Sequence, residues 1–192
     1  MADPRQPDEV RDRVLATARQ LFNHQGINAT GVDLLSERAG VSKRTLYQRF
    51  RTKDDLIAAY LTQETECFLE DLLPPDDSGK PPAERIVSVF SAVREKSQDP
   101  DFQGCPVLNT TAEIRDPAHP ARVVGLTYKQ CLQQFFADEA RAADATDPDQ
   151  LSEQLVMLFD GAMSYSAVRG TPIPHSIEVA VRTLVDAAIP PA

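Results

Sequence analysis

Six residues within one short stretch carry the most pointed chemistry in this sequence. Lys43, Arg44, Thr45, Tyr47, Gln48 and Arg49 supply three cations, two hydroxyls and one amide, with no acid among them. Such a set suits phosphates and base edges. Lys43 or Arg44 can pair with the O6/N7 edge of guanine and Gln48 with adenine, while Thr45, Tyr47 and, further on, Lys53 suit phosphate oxygens. Leu46 and Phe50 lie four residues apart between them. A helix that buries those two turns the polar six toward the other faces.

Positioning such a helix requires a scaffold, and the preceding residues describe one. Val10, Val14, Leu15, Ala18, Leu21 and Phe22 follow a 3.6-residue period that predicts an amphipathic helix ended by Gly26. Val32, Leu34 and Leu35 predict a second, short helix ended near Gly40. Ser42 is placed to cap the third and Thr52 to cap the next, which runs to about residue 73. The turn Ala39-Gly40-Val41-Ser42 is short and holds a glycine, as a helix-turn-helix requires. The N-terminus of the second helix, near Thr30 and Gly31, offers free backbone N–H groups to a further phosphate.

Charge along the chain agrees with this division. The 192 residues hold 20 Lys+Arg and 29 Asp+Glu, a net of -9, and an evenly acidic protein would repel nucleic acid. The distribution is uneven. Residues 1–53 carry ten bases and six acids, net +4, whereas residues 54–192 carry ten bases and 23 acids, net −13. One end suits a polyanion and the rest does not. We therefore expect a domain over 1–53 and a second, helical one over 54–192.

The remainder also reads as helix. Pro74 to Pro82 is a proline-rich loop. Helices are predicted over 83–98, 105–115, 120–142, 148–169 and 174–188, the fourth with Asp147 as cap and Pro148 at its first position. The expected fold class is all-α, with roughly nine helices. No apolar run approaches the roughly 18 residues of a membrane span, and Met1 to Val10 is polar with three acids, unlike a signal peptide. Three widely spaced cysteines, Cys67, Cys105 and Cys131, suit a reducing cytoplasm. His24, His119 and His175 are scattered, and no metal-ligand spacing, phosphate-binding glycine loop or nucleophile elbow is present. No cofactor or metal is expected, and no enzymatic motif.

The run Ala39-Gly40-Val41-Ser42-Lys43-Arg44-Thr45-Leu46-Tyr47-Gln48-Arg49-Phe50, followed by Lys53-Asp54-Asp55-Leu56, resembles the N-terminal domain of TetR-type transcriptional regulators. Gly26 to Val32 extends the likeness, which covers about a quarter of the chain. The resemblance implies phosphate contacts at Thr45, Tyr47 and Lys53, and base or flanking contacts at Lys43, Arg44 and Gln48. Three positions depart from the family's pattern: Gly31 stands where Ser or Thr is usual, Arg44 where Gly is common, and Arg49 where His or Tyr is frequent. The resemblance further implies double-stranded operator DNA as a partner, a homodimer, and a small-molecule effector that lowers DNA affinity, most commonly in a repressor.

For the dimer, the last two helices offer stripes at Leu151, Leu155, Leu158, Ala162 and Tyr165, and at Ile177, Ala180, Val181, Leu184 and Ala188. For the effector, Phe90, Phe102, Cys105, Asn109, Tyr128, Phe135, Asp160 and Met163 are candidate contacts. Cys105, before a proline at a helix start, opens an alternative reading as a thiol-based sensor of oxidants or electrophiles. A small-molecule-binding protein or a cysteine-dependent enzyme without any DNA role is the alternative from a different class.

Overall fold

The computed structural model describes residues 8–190, and the polar start read at residues 1–7 lies outside that range. Among the described residues there are nine α-helices and no strand: α1 (Glu9–Gln25), α2 (Val32–Arg38), α3 (Lys43–Arg49), α4 (Lys53–Leu72), α5 (Pro82–Lys96), α6 (Pro106–Glu113), α7 (Pro120–Ala142), α8 (Pro148–Arg169) and α9 (Ser176–Ala188). The all-α expectation holds. The chain divides into two compact units: Met1–Glu64 with Val107–Gly125, and Thr65–Pro106 with Leu126–Ala192.

In the first unit, local chemistry sets each helix end. The Asp8 carboxylate accepts from the Arg11 amide at 3.2 Å, filling one of the donors left open at the start of α1. Gly26 stops that helix with φ +86°, a left-handed conformation that side chains resist. Ser42 Oγ accepts from the Thr45 amide at 3.0 Å to cap α3, and Thr52 Oγ1 accepts from the Asp55 amide at 3.0 Å ahead of α4. The short second helix has no side-chain cap, because Gly31 occupies its N-cap. Burial does the rest. Val14, Leu15, Ala18 and Phe22 of α1 enclose, with Leu35, Leu46, Phe50 and Leu56, a core almost without solvent exposure. Tyr60 sets its ring edge-on to Phe22 at 5.1 Å, and its hydroxyl donates to Asn23 Oδ1 at 3.1 Å.

The second unit is built on a cluster of phenylalanines. Phe90 of α5 stacks on Phe136 of α7 at 5.7 Å and meets Phe159 of α8 edge-on at 6.1 Å. All three are fully buried. Helix α9 packs on α5 and α8, and is fastened to α5 by Arg94 Nε to Glu178 at 2.6 Å and by Arg182 to both oxygens of Glu84 at 2.7 and 3.0 Å. The turn after α8 is held from inside, where Ser97 Oγ accepts from the buried Ile173 amide at 2.9 Å.

Arg85 locks the proline-rich loop. Its guanidinium donates to Glu139 at 2.8 Å, to the Pro75 carbonyl at 2.7 Å, to Ser78 Oγ at 3.2 Å and to Asp76 at 3.3 Å. Glu139 and its hydrogen bond hold Arg85 in its charged form even more firmly than usual. The side chains of Arg85 and Glu139 are only 10% and 13% exposed. Removing the cation therefore strands a carboxylate away from water. Arg85→Ala should destabilise the protein by about 3 kcal/mol, read as a lower midpoint in urea denaturation. A midpoint equal to that of the wild type would contradict this.

Candidate nucleic-acid interface

Helix α3 presents the polar face expected of it. Leu46 is fully buried and Phe50 nearly so, and this fixes the helix's rotation. Lys43, Arg44, Tyr47, Gln48 and Arg49 are exposed in consequence, and Tyr47 shows 46% of its surface. Gly40, with φ +63°, makes the tight turn that brings α3 around. Among the described residues, the side chains of Arg44, Tyr47 and Gln48 make no hydrogen bond, so their polar atoms remain available to a ligand.

The other cations are engaged within the protein. Lys43 forms an ion pair with Asp33 of α2, which raises its affinity for its proton. Arg49 Nε lies 2.6 Å from Asp8, the residue that caps α1. The Thr45 hydroxyl shares a 2.8 Å hydrogen bond with Ser42 Oγ. Lys53 Nζ donates to the Ile27 carbonyl at 2.7 Å. Both acid partners, Asp33 and Asp8, escaped the sequence reading. Their selection depends on the packing of three helices rather than on any local spacing. Exposed ion pairs of this sort are weak, so Lys43 can exchange Asp33 for a phosphate or a base at little cost.

Thr30 must be withdrawn from the interface. It is 0% exposed: its hydroxyl donates to the Gly26 carbonyl at 2.7 Å and accepts from Gln25 Nε2 at 3.2 Å. It closes the turn before α2 from within. Gly31, by contrast, is exposed.

In the second unit, several expected effector contacts converge on a residue that was not among them, Lys129. Its ammonium is paired with Asp160, lies 3.9 Å from Cys105 Sγ, and sits over the rings of Tyr128 and Phe159 at 5.2 and 5.5 Å. The Tyr128 hydroxyl is buried with no hydrogen-bond partner. Burial first, and then the charges of Cys105 and Asp160, push its ionisation far above the ordinary tyrosine range, so it is a neutral donor. Met163 is buried nearby in sequence on α8, Phe102 is half-buried, and Phe135 lies under the Arg85 guanidinium at 5.8 Å. Phe90 belongs to the phenylalanine core. Asn109 belongs to the first unit, where it lines a cavity of about 280 Å³ with Phe22, Tyr60 and Glu113. Cys105 itself is 2% exposed, and the exposed thiols are Cys67 and Cys131. A sensing thiol must be reached by its oxidant, so the thiol-sensor alternative is not favoured.

Three of the ten residues in the expected dimer stripes belong to the core instead. Leu151, Leu155 and Val181 are 2%, 0% and 0% exposed, and they fill the unit's own core. Others in the stripes lie on an open face: Leu158 and Tyr165 of α8 with Ile177, Ala180 and Leu184 of α9 line, together with Met157 and Gly161, an apolar groove of about 790 Å³. Ala162 also lines it, and Ala188 is half-buried at the end of α9. Helix α8 is apolar on two faces, and periodicity does not say which of them turns inward.

These features define an all-helical protein with a helix-turn-helix head. Comparison with known proteins places it more closely. The model of the family described as bacterial regulatory proteins, tetR family, matches residues 14–60. A crystal structure from Streptomyces avermitilis, described as a tetr-transcriptional regulator (sav143), shares 41% identity over 94% of this chain and 98% of its own, with a TM-score of 0.88. SCO4454, a TetR-family transcriptional regulator from Streptomyces coelicolor, shares 30% identity over 94% of both chains, with a TM-score of 0.80. LmrA of Bacillus subtilis, an HTH-type transcriptional regulator, is 26% identical over 86% of this chain and 91% of its own. The chain belongs to the TetR family of transcriptional regulators.

Proposed function

We propose that this protein is a repressor that binds operator DNA as a homodimer and releases it when a small molecule binds its second unit. The observation that carries this is the outer face of α3. A helix fixed by Leu46 and Phe50 presents Lys43, Arg44, Tyr47 and Gln48 to solvent with no acid on the helix itself. DNA binding falls to residues 1–53, where the charge is net +4, and sensing and dimerisation to residues 54–192. Arg44 and Gln48 read bases, Lys43 joins them by leaving Asp33, and Thr45, Tyr47, Gly31 and Lys53 face the backbone. Arg49 reaches DNA only by leaving Asp8.

A homodimer is supported by the α8/α9 groove. Met157 and Tyr165 in its lining are 65% and 41% exposed, and Val168 and Val179 on the same two helices are 82% and 55% exposed; exposed apolar side chains of this kind mark an interaction surface. Two recognition helices are needed to reach successive major grooves. Effector binding is supported by the orphaned Tyr128 hydroxyl beside Lys129 and Asp160, since a buried donor without a partner is an open position for an acceptor. Operator DNA as the target puts the site of action in the cytoplasm. No described helix is long and apolar enough to cross a membrane. Nuclease footprinting on the DNA flanking the gene tests this reading: two protected half-sites about 10 base pairs apart, or a multiple of that, are expected. Uniform cleavage at micromolar protein would overturn it.

A further inference from the structure

The last residue of α6 grips the turn that leads into the DNA-binding helices. Glu113 Oε1 accepts from the Ile27 amide at 3.0 Å, and Oε2 from the Asn28 amide at 2.8 Å. Asn28 Nδ2 donates in return to the Glu113 carbonyl at 3.2 Å, occupying a carbonyl left open at the helix end. Two successive amides converging on one carboxylate form a small anion-binding concavity. Gly26 makes it possible. Its φ of +86° turns the amides outward, and a Cβ there would stand 3.0 Å from both carboxylate oxygens. No other residue fits this position without displacing Glu113.

The gripped turn is connected to the DNA-binding surface in two ways. Thr30, Gln25 and Gly26 close it internally, and it ends at Gly31, the N-cap of α2. On its other side the Ile27 carbonyl accepts from Lys53 Nζ at 2.7 Å. One turn thus holds both the entry to α2 and the ammonium of the first residue of α4. A second tie runs from the same segment of chain as Glu113: His119 Nε2 lies 3.3 Å from Asp54.

We propose that Glu113 is a positioning residue for operator recognition: its carboxylate holds the 26–28 turn, and with it the start of α2 and Lys53, in the geometry that base readout requires. The proposal rests on the repressor reading above. Glu113 touches no base or phosphate; it acts through Ile27, Lys53 and the start of α2. Non-specific attraction to DNA depends on the charge of the head and does not require its exact geometry, whereas base readout does. Loss of the clasp should therefore separate the two affinities, which general unfolding cannot do.

Two readouts on the full-length protein test this. Amide hydrogen exchange at Ile27 and Asn28 should accelerate about tenfold or more in Glu113→Ala, while exchange in α8 stays as in the wild type. In titrations with the duplex footprinted beside the gene and with a random duplex of equal length, Glu113→Ala should bind the former about tenfold more weakly and the latter within twofold. Glu113→Gln, which keeps one acceptor, should fall between. Asn28→Ala removes only the return bond and serves should Glu113→Ala not fold; it should show a smaller shift of the same kind. Unchanged exchange at Ile27 and Asn28 would overturn the proposal, as would operator and random affinities that fall together. If the wild type itself does not discriminate between the duplexes, the repressor reading fails, and the exchange readout still decides whether Glu113 holds the turn.

Discussion

The double substitution Lys43→Ala with Tyr47→Ala should weaken operator binding about 100-fold while leaving the fold intact. Both side chains are exposed: Lys43 pairs with Asp33 on the surface, and Tyr47 makes no hydrogen bond among the described residues. Surface substitutions of this kind shift stability by about 0.5 kcal/mol or less. A specific base or phosphate contact contributes about 1–3 kcal/mol, so two lost together give roughly 3 kcal/mol, or about two decades in affinity. Lys43 also leaves a signature in salt. If it neutralises a phosphate, its loss reduces the slope of log affinity against log salt by about one. If it reads a base, the slope is unchanged and discrimination suffers instead. Fluorescence anisotropy at several salt concentrations distinguishes these outcomes. Affinity equal to that of the wild type would place the DNA-binding surface elsewhere than on α3.

Gly161→Arg should abolish dimerisation and operator binding together without harming the subunit. Gly161 lies in the middle of α8 on the wall of the apolar groove, and a Cβ added there meets nothing within 4 Å. Arginine favours a helix interior over glycine by roughly 0.8 kcal/mol, so the isolated subunit gains stability. In a dimer built on this groove the same guanidinium would be buried against apolar side chains without a carboxylate partner, at a cost of several kcal/mol. Sedimentation velocity should show a monomer at concentrations where the wild type is dimeric, with a melting temperature no lower than before. A dimer of undiminished affinity would move the subunit interface away from α8 and α9.

The helices were legible wherever their boundaries are made by local chemistry. Asp147, Pro148 and Gln150 mark the start of α8, and the Gln150 amide donates to Asp147 at 3.0 Å as such a cap requires. Gly26, Ser42 and Thr52 act in the same way, and the rotation of α3 followed from Leu46 and Phe50 alone. The start of α9 lies two residues beyond the Pro174 that the sequence suggests, because a proline that can open a helix can equally open a turn; here the Pro174 carbonyl accepts from the Ile177 amide at 3.2 Å and regular helix begins at Ser176. Pairings far apart in the chain were not legible. Glu113 meets residues 85 and 86 positions away, Arg85 meets Glu139 across 54, and Lys129 meets Asp160 across 31. No local pattern selects such partners, since each depends on how helices stack. The same limit explains why Leu151 and Leu155 of α8 are core while Leu158 and Tyr165 line the open groove, and the assignment of Thr30, whose burial depends on how the turn folds around it.

Charge bears on specificity as well as on attraction. The net of −13 on residues 54–192 opposes DNA at surfaces other than the head, which favours a single docking face. Asp33 has a comparable effect at close range, since it holds Lys43 until a better acceptor is offered. Asp33→Asn should therefore raise affinity for random duplex more than for operator. Equal changes on both would show that the pair has no part in discrimination.

The most direct test of the account is the ratio of wild-type affinities for DNA flanking the gene and for random duplex of equal length, measured by anisotropy at about 150 mM salt. A sequence-specific regulator should prefer the flanking DNA by about 10³-fold or more. A ratio near one, or no binding to either, would contradict it.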